Sequence, residues 1–182
     1  LEGGALRCWG GNNYGQLGLS HRTDVGDDEV PSAVAPVSVG TDVARVFAGK
    51  YHTCVLSDEG AARCWGWNSE GQLGLGHTRD IGDDELPSAS QNVTLDGVKL
   101  VDLALGRRHT CSLDDAGKVR CWGWNSHGQL GIGHTRDIGD DEAVSRGSAV
   151  ELGAAATDVT TGANHSCALL ESGAVRCWGD NR

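Results

Sequence analysis

The chain has 182 residues, 38% of them apolar, with a formal charge of −10 at pH 7 and a pI near 5.0. That length and apolar content suffice for a packed core, and the negative field repels phosphate backbones and anionic bilayers, which argues against nucleic-acid partners. No apolar stretch approaches the roughly 18 residues a membrane helix needs, and none has the form of a signal peptide, so no membrane insertion is expected. With 28 glycines, six tryptophans, one phenylalanine and no methionine, small residues and turns must shape the fold, and Trp must fill it.

A fixed internal period organises the whole chain. The tetrapeptide Arg-Cys-Trp-Gly recurs with its cysteines at Cys8, Cys64, Cys121 and Cys177, spaced 56, 57 and 56 residues apart. His52, His109 and His165 keep step, as do the GQLG segments at Gly15, Gly71 and Gly128. The sequence therefore reads as one repeat array over 1–182, with units 8–63, 64–120 and 121–176 and a further unit opening at 177–182. In this frame Leu1 falls level with Ser57.

Within a unit, the first element is Pro31 to Val39, where Val34, Val37 and Val39 alternate with small residues, a pattern that predicts an outer strand with Pro tolerated at its edge. Val43 to Ala48 follows as a strand, Gly49 as a turn, then strands over Tyr51–Ser57 and Ala61–Trp67 around the turn Asp58, Glu59, Gly60. No 3.6-residue apolar period runs long enough for a helix. Four short strands per unit predict an all-β fold of β-propeller blades: about three four-stranded blades of a longer or assembled propeller.

Three cysteine pairs share one spacing: Cys54 with Cys64, Cys111 with Cys121, Cys167 with Cys177. A hairpin turning at Glu59 sets Cys54 opposite Cys64, close enough for a disulfide that would add roughly 2–3 kcal/mol. The alternative is reduced core thiols; oxidation places the protein in an extracellular, periplasmic or cell-surface setting. Cys8 has no partner at the corresponding spacing. Three units leave two sheet edges open, which predicts either a piece of a longer chain or copies assembling edge to edge.

The signature GXNXXGQLGLG, followed by GXXHTCXLXXXGXXRCWG, resembles the repeat of the regulator of chromosome condensation family, with its best copies at Gly66 and Gly123. The resemblance covers essentially every residue and implies a propeller. It constrains function less, because that family includes a nucleotide exchange factor for a small nuclear GTPase, a plant ultraviolet photoreceptor and a secreted bacterial β-lactamase inhibitor. Where the family carries an aliphatic residue after HT or HS, this chain carries Cys, a departure that suits a secreted member and counts against nuclear exchange.

The acidic loops DXGDDE gather Asp24, Asp27, Asp28, Glu29, Asp80, Asp83, Asp84, Glu85, Asp137, Asp140, Asp141 and Glu142, which is 12 of the 25 acidic residues. Clustered carboxylates beside a glycine suit calcium, the one cofactor the sequence suggests, though the spacing is not that of an EF-hand. The structural alternative is a solvated loop whose carboxylates cap amides and pair with Arg22, Arg79 or Arg136 on the same turn. His21, His77 and His134 precede these loops and suggest a mixed His-carboxylate metal site or plain surface histidines.

His52, His109 and His165 read as architectural, bonded to backbone of their own or the next unit, and Asn12, Asn68, Asn125 and Asn181 as turn caps. Trp9, Trp65, Trp122 and Trp178 should pack between blades. Trp67 and Trp124, two residues later, would share their face in a continuing strand and form a partner-binding patch. A photoreceptor would need a cation stacked on such a Trp, and the neighbouring Asn68 and Asn125 supply none. No nucleophile elbow, phosphate loop or metal knuckle occurs, so no catalytic residue is assigned. The reading is a non-enzymatic, secreted or surface propeller that binds a protein partner through its blade loops around GQLG and DXGDDE; the alternatives are a self-assembling repeat and an exchange-factor-like regulator of a small GTPase.

Overall fold

The computed structural model describes residues 5–93, 95 and 97–182, so the register of Leu1 lies outside the described residues. Three antiparallel sheets, each a meander of three strands, follow one another along the chain. They are β1 (Arg45–Ala48), β2 (His52–Leu56) and β3 (Ala62–Gly66); β4 (Leu100–Leu105), β5 (His109–Asp114) and β6 (Val119–Gly123); β7 (Ala156–Thr161), β8 (His165–Leu170) and β9 (Val175–Gly179). Short runs of Val, Leu, Thr and Ala suit a pleated surface, and a glycine closes each hairpin. Gly60, at φ +85°, donates to the Ser57 carbonyl at 3.0 Å and reverses the chain between β2 and β3. Among the described residues no helix is long and apolar enough to cross a membrane.

Register follows from these tight turns and sets cysteine against cysteine. Cys54 pairs with Cys64, Cys111 with Cys121, and Cys167 with Cys177 across each hairpin. Their Cα atoms lie 4.1, 4.0 and 4.1 Å apart, and each pair is a disulfide. Cys8 is free, and burial pushes its thiol up to about 11, which leaves it protonated and unreactive at neutral pH.

The expected fourth strand is not formed. Pro31–Ala33 is a 3₁₀ turn, as are Pro87–Ala89 and Val144–Arg146, and the residues after each lie along the sheet through single backbone bonds. Val37 donates to the Leu6 carbonyl at 2.8 Å, Val93 to Ala62 at 2.9 Å and Val150 to Val119 at 2.8 Å. Each segment opens on a tight 3₁₀ turn, with Pro31 and Pro87 at its start in the first two copies and Val144 in the third, so the apolar side chains of Val37 and Val39 are buried without a ladder forming.

The core runs between sheets as well as under them. Trp65, Leu73, Val55, Leu103 and Trp122 belong to one continuous buried cluster that crosses from the first sheet to the second. Trp65 and Trp122 are fully buried, Trp178 partly so, and Trp9 is 64% exposed, so only the first two take the full expected packing position.

A recurring hydrogen-bond chain seals each seam. Thr110 Oγ1 donates its only proton to the Gln72 carbonyl at 2.9 Å, so at 2.8 Å it can only accept from His52 Nε2–H. At the next seam Ser166 donates to the Gln129 carbonyl at 2.9 Å and accepts from His109 Nε2–H at 3.0 Å. The same two carbonyls accept the indole N–H groups of Trp122 and Trp178 at 3.0 and 2.9 Å. His52 and His109 are thus architectural, but each bonds a hydroxyl of the next sheet rather than backbone, while His165 is exposed. Spacing in the GXXH motif follows from the ring: a Cβ on Gly106 would stand inside van der Waals contact of both the His109 ring and the Gly162 carbonyl.

Candidate functional site

The same framework that seals the seams displays a set of side chains that differ from copy to copy. Gly66 and Gly123, at φ +106° and +98°, end β3 and β6 and turn the chain, so Trp67 and Trp124 leave the faces of Trp65 and Trp122 instead of sharing them. Backbone bonds then fix their positions. Trp67 N–H donates to the Tyr51 carbonyl at 2.9 Å, Trp124 to Arg108 at 2.9 Å, and Asp180 to Asn164 at 2.9 Å. The constant glutamines hold a second variable position, since Gln16, Gln72 and Gln129 accept from the amides of Tyr14, Glu70 and His127 at 2.9, 3.0 and 3.0 Å.

Residues that vary between copies therefore meet on one face. Tyr14, Tyr51 and Trp67 form a triangle with each pair of ring centroids 5.3 Å apart. The Arg108 guanidinium lies 4.9 Å from the Trp67 ring centroid and 5.4 Å from that of Trp124, joining the aromatic groups of two units. Trp124 meets His127 edge to face at 5.0 Å, and Lys50 lies 5.0 Å over Tyr51. The neighbouring asparagines indeed offer no charge, but the cation absent from the sequence neighbourhood of Trp67 and Trp124 arrives from the loop before β5. Lys50 also holds the Tyr51 hydroxyl below its ordinary range, with Arg107 adding to the effect.

Charge separates around these tryptophans. Trp67 also lines a cleft of about 1030 Å³ whose other walls include Arg22, His77, Asp80, Asp83 and Glu85. Trp124 lines the equivalent cleft of about 820 Å³, with Arg136, Asp137, Asp140 and Glu142. Each indole thus stands between a cationic row and an acidic loop.

Within the acidic loops the first carboxylate is separated from the others. Asp24, Asp80 and Asp137 accept from the amides of Asn12, Asn68 and Asn125 at 2.7, 2.8 and 2.7 Å. Those asparagines are fully buried and knit the loops as expected: Asn68 donates to the His77 and Arg79 carbonyls and accepts from Leu73 N–H at 2.9 Å. The remaining residues, Asp27, Asp28, Glu29; Asp83, Asp84, Glu85; and Asp140, Asp141, Glu142, bring one oxygen each to within 4.8 Å of one another. Burial and the hydrogen bond shared with Asp84 push Glu85 up to about 7. For Arg22 the expected same-turn ion pair gives way to one between units: it reaches forward to Asp83, with Nε at 3.2 Å, and to Asp80 at 3.6 Å. An extended arginine on one loop reaches the next loop more readily than its own tight turn. His77 and His134 are used locally, accepting at Nδ1 from the amides of Arg79 and Arg136 at 3.2 and 3.3 Å.

Of these residues Trp67 and Trp124 stand out in the sequence by composition, whereas Tyr14, Lys50, Tyr51, Arg107, Arg108 and His127 do not. The signal was present in the repeat itself: these positions change between copies whose flanking residues do not, as in GKYHTC, GRRHTC and GANHSC.

The family model described as the regulator of chromosome condensation (RCC1) repeat matches residues 43–72, 100–129 and 156–182, and a second model of that repeat matches 4–56 and 59–113. The chain belongs to the RCC1-repeat family. Among curated relatives, this RCC1-repeat chain is 34% identical over 175 residues to the secretion-regulating guanine nucleotide exchange factor of Bos taurus, covering 96% of this chain and 35% of that protein. It is 32% identical over 179 residues to the ultraviolet-B receptor UVR8 of Arabidopsis thaliana, covering 98% of this chain and 38% of the receptor. The RCC1-repeat chain therefore spans little more than a third of those relatives. Yeast RCC1 (Prp20), solved bound to Kap60, superposes with a TM-score of 0.69 at 24% identity over 97% of this chain and 40% of that one. Human WBSCR16 gives 0.67 at 23% identity over 92% and 40%. These two likenesses establish the propeller-type fold.

Proposed function

We propose that this RCC1-repeat array is a non-enzymatic binding module that holds a protein partner on the face carrying Trp67 and Trp124. One observation carries the reading: residues that differ between copies converge on a single surface, while the residues that build the seams stay constant. A framework needs constancy, whereas recognition needs each unit to present something different. Aromatic rings with a stacked arginine are the side chains that dominate binding at interfaces. The relatives named as an exchange factor and a receptor are consistent with regulation through protein contact. Three hairpin disulfides support an oxidising location, which is extracellular, periplasmic or on the cell surface.

A photo-crosslinking residue tests the reading when placed at exposed Ser126, beside Trp124, or at exposed Glu151, away from it. Adducts should form from Ser126 in the native compartment and disappear in Trp124→Ala. Equal yields from both positions would contradict the assignment of the face. The exchange-factor likeness supports one alternative, catalysis of nucleotide release from a small GTPase, which an assay of release rate with and without the chain separates from simple binding.

A further inference from the structure

The charge distribution narrows what such a partner must offer. Lys50, Arg107, Arg108 and Arg182 stand on or beside the aromatic face, and the carboxylates that approach them are those of Glu70 and Asp180. Asp180 is already occupied: it accepts from Arg182 Nε at 3.0 Å and lies 3.8 Å from His127. Glu70 approaches Arg108 to 3.6 Å, an ion-pair distance too long for a hydrogen bond. Arg107 Nε and Arg108 Nε have no acceptor, so both guanidiniums carry unspent donors in a region where water is partly excluded by the rings. The rest of the chain is strongly acidic, at −10 overall, and the loops flanking this row carry the acidic triads.

Resting on the binding reading above, we propose that the row Lys50, Arg107, Arg108 takes an acidic peptide segment, with Asp or Glu side chains meeting the guanidiniums and apolar side chains lying against Trp67, Trp124 and Tyr51. Carboxylates match the forked geometry of arginine and gain strength beside desolvating rings. Long-range repulsion from the acidic loops on the far side of each tryptophan disfavours other landing positions for a negative chain, so the same field that opposes general adhesion fixes where and in which register the segment lies. A basic segment would instead be drawn to the acidic loops and would leave the cationic row empty.

The test uses the 182-residue chain and three synthetic 12-residue peptides that share two Leu and one Tyr and place Glu and Asp, Gln and Asn, or Lys at the remaining positions. Binding is followed by tryptophan fluorescence at about 0.15 M salt, where charges farther apart than roughly 8 Å are largely screened. The acidic peptide should bind at least about tenfold more tightly than the neutral one, a difference of about 1.4 kcal/mol. Arg108→Glu and Arg107→Glu should each abolish that preference with unchanged circular dichroism, while Lys118→Glu, exposed at the β5–β6 turn and so at the opposite end of that hairpin from Arg108, should leave it intact. Equal binding of acidic and neutral peptides, or preference for the Lys peptide, overturns the acidic-segment proposal; if Trp67→Ala and Trp124→Ala still weaken that binding, the binding face survives. Should no peptide bind and Ser126 give no adduct, the face itself falls.

Discussion

The second and third sheets carry the same motif and stand in different surroundings. Trp122, Val119 and His109 are fully buried, whereas their counterparts are partly buried for Trp178, 61% exposed for Val175 and exposed for His165. What differs is the neighbour, because β7 packs on β4 and β5 and Ser166 of β8 bonds His109, while among the described residues no following sheet covers β8 and β9. The motif residues are thus seam residues, and their energetic weight comes from the sheet that follows.

The largest way to break this comparison is to truncate the same tryptophan in the two places. Trp122→Ala should cost about 3–5 kcal/mol in denaturant unfolding, and Trp178→Ala about 1–2 kcal/mol because less of its surface is packed. Equal losses would deny the seam its role. Removing a disulfide sharpens the contrast by a different route. Cys111→Ala with Cys121→Ala should cost about 2–3 kcal/mol, and Cys167→Ala with Cys177→Ala nearly the same, since closing a short loop restricts the unfolded chain irrespective of what covers the folded hairpin.

Acidification attacks the covered seams selectively. Burial, reinforced by His109, pushes His52 down to about 3, and burial, reinforced by His165, pushes His109 down to about 4. Both pKa values fall below the unfolded value near 6.5, so the unfolded chain binds more protons and stability decreases as pH falls from about 6.5 toward 4. Thermal midpoints measured from pH 7.5 to 4.5 should decline over that window, and His109→Gln should flatten the slope. A midpoint that is constant to pH 4.5 would contradict the buried neutral rings. A smaller effect is expected at the hydroxyl: Ser166→Ala leaves His109 Nε2–H without its acceptor and should cost about 1–2 kcal/mol, read by the same unfolding curves.

Much of the sheet structure was legible because it is local. A turn at Gly60 fixes which residues oppose each other, so the Cys54–Cys64 register follows from spacing alone. The fourth strand was not legible, because Val37 and Val39 show strand-like alternation while a 3₁₀ turn leaves each such segment a single backbone bond to the sheet. The binding face was half legible. Trp67 and Trp124 stand out by composition, yet the cation between them belongs to the next sheet, and proximity across a seam leaves no mark in the neighbouring sequence. The seam histidines were recognised by position, and their hydroxyl partners became visible only once two sheets were set side by side.

The acidic loops give the smallest expected effect. Backbone amides already satisfy Asp24, Asp80 and Asp137, and Arg22 engages Asp83, so removing divalent ions with EDTA should shift the thermal midpoint by less than about 2 °C. A larger loss would make calcium part of these loops.

Amide hydrogen exchange resolved by residue tests the seam account most directly. Strands β5 and β6 should exchange only through global unfolding, and β8 and β9, with the same disulfide and the same ladder, at least about tenfold faster. Equal protection of Cys111 and Cys167 amides would show that the hairpin and its sulfur bridge hold each sheet unaided, and that the neighbouring sheet contributes nothing to its stability.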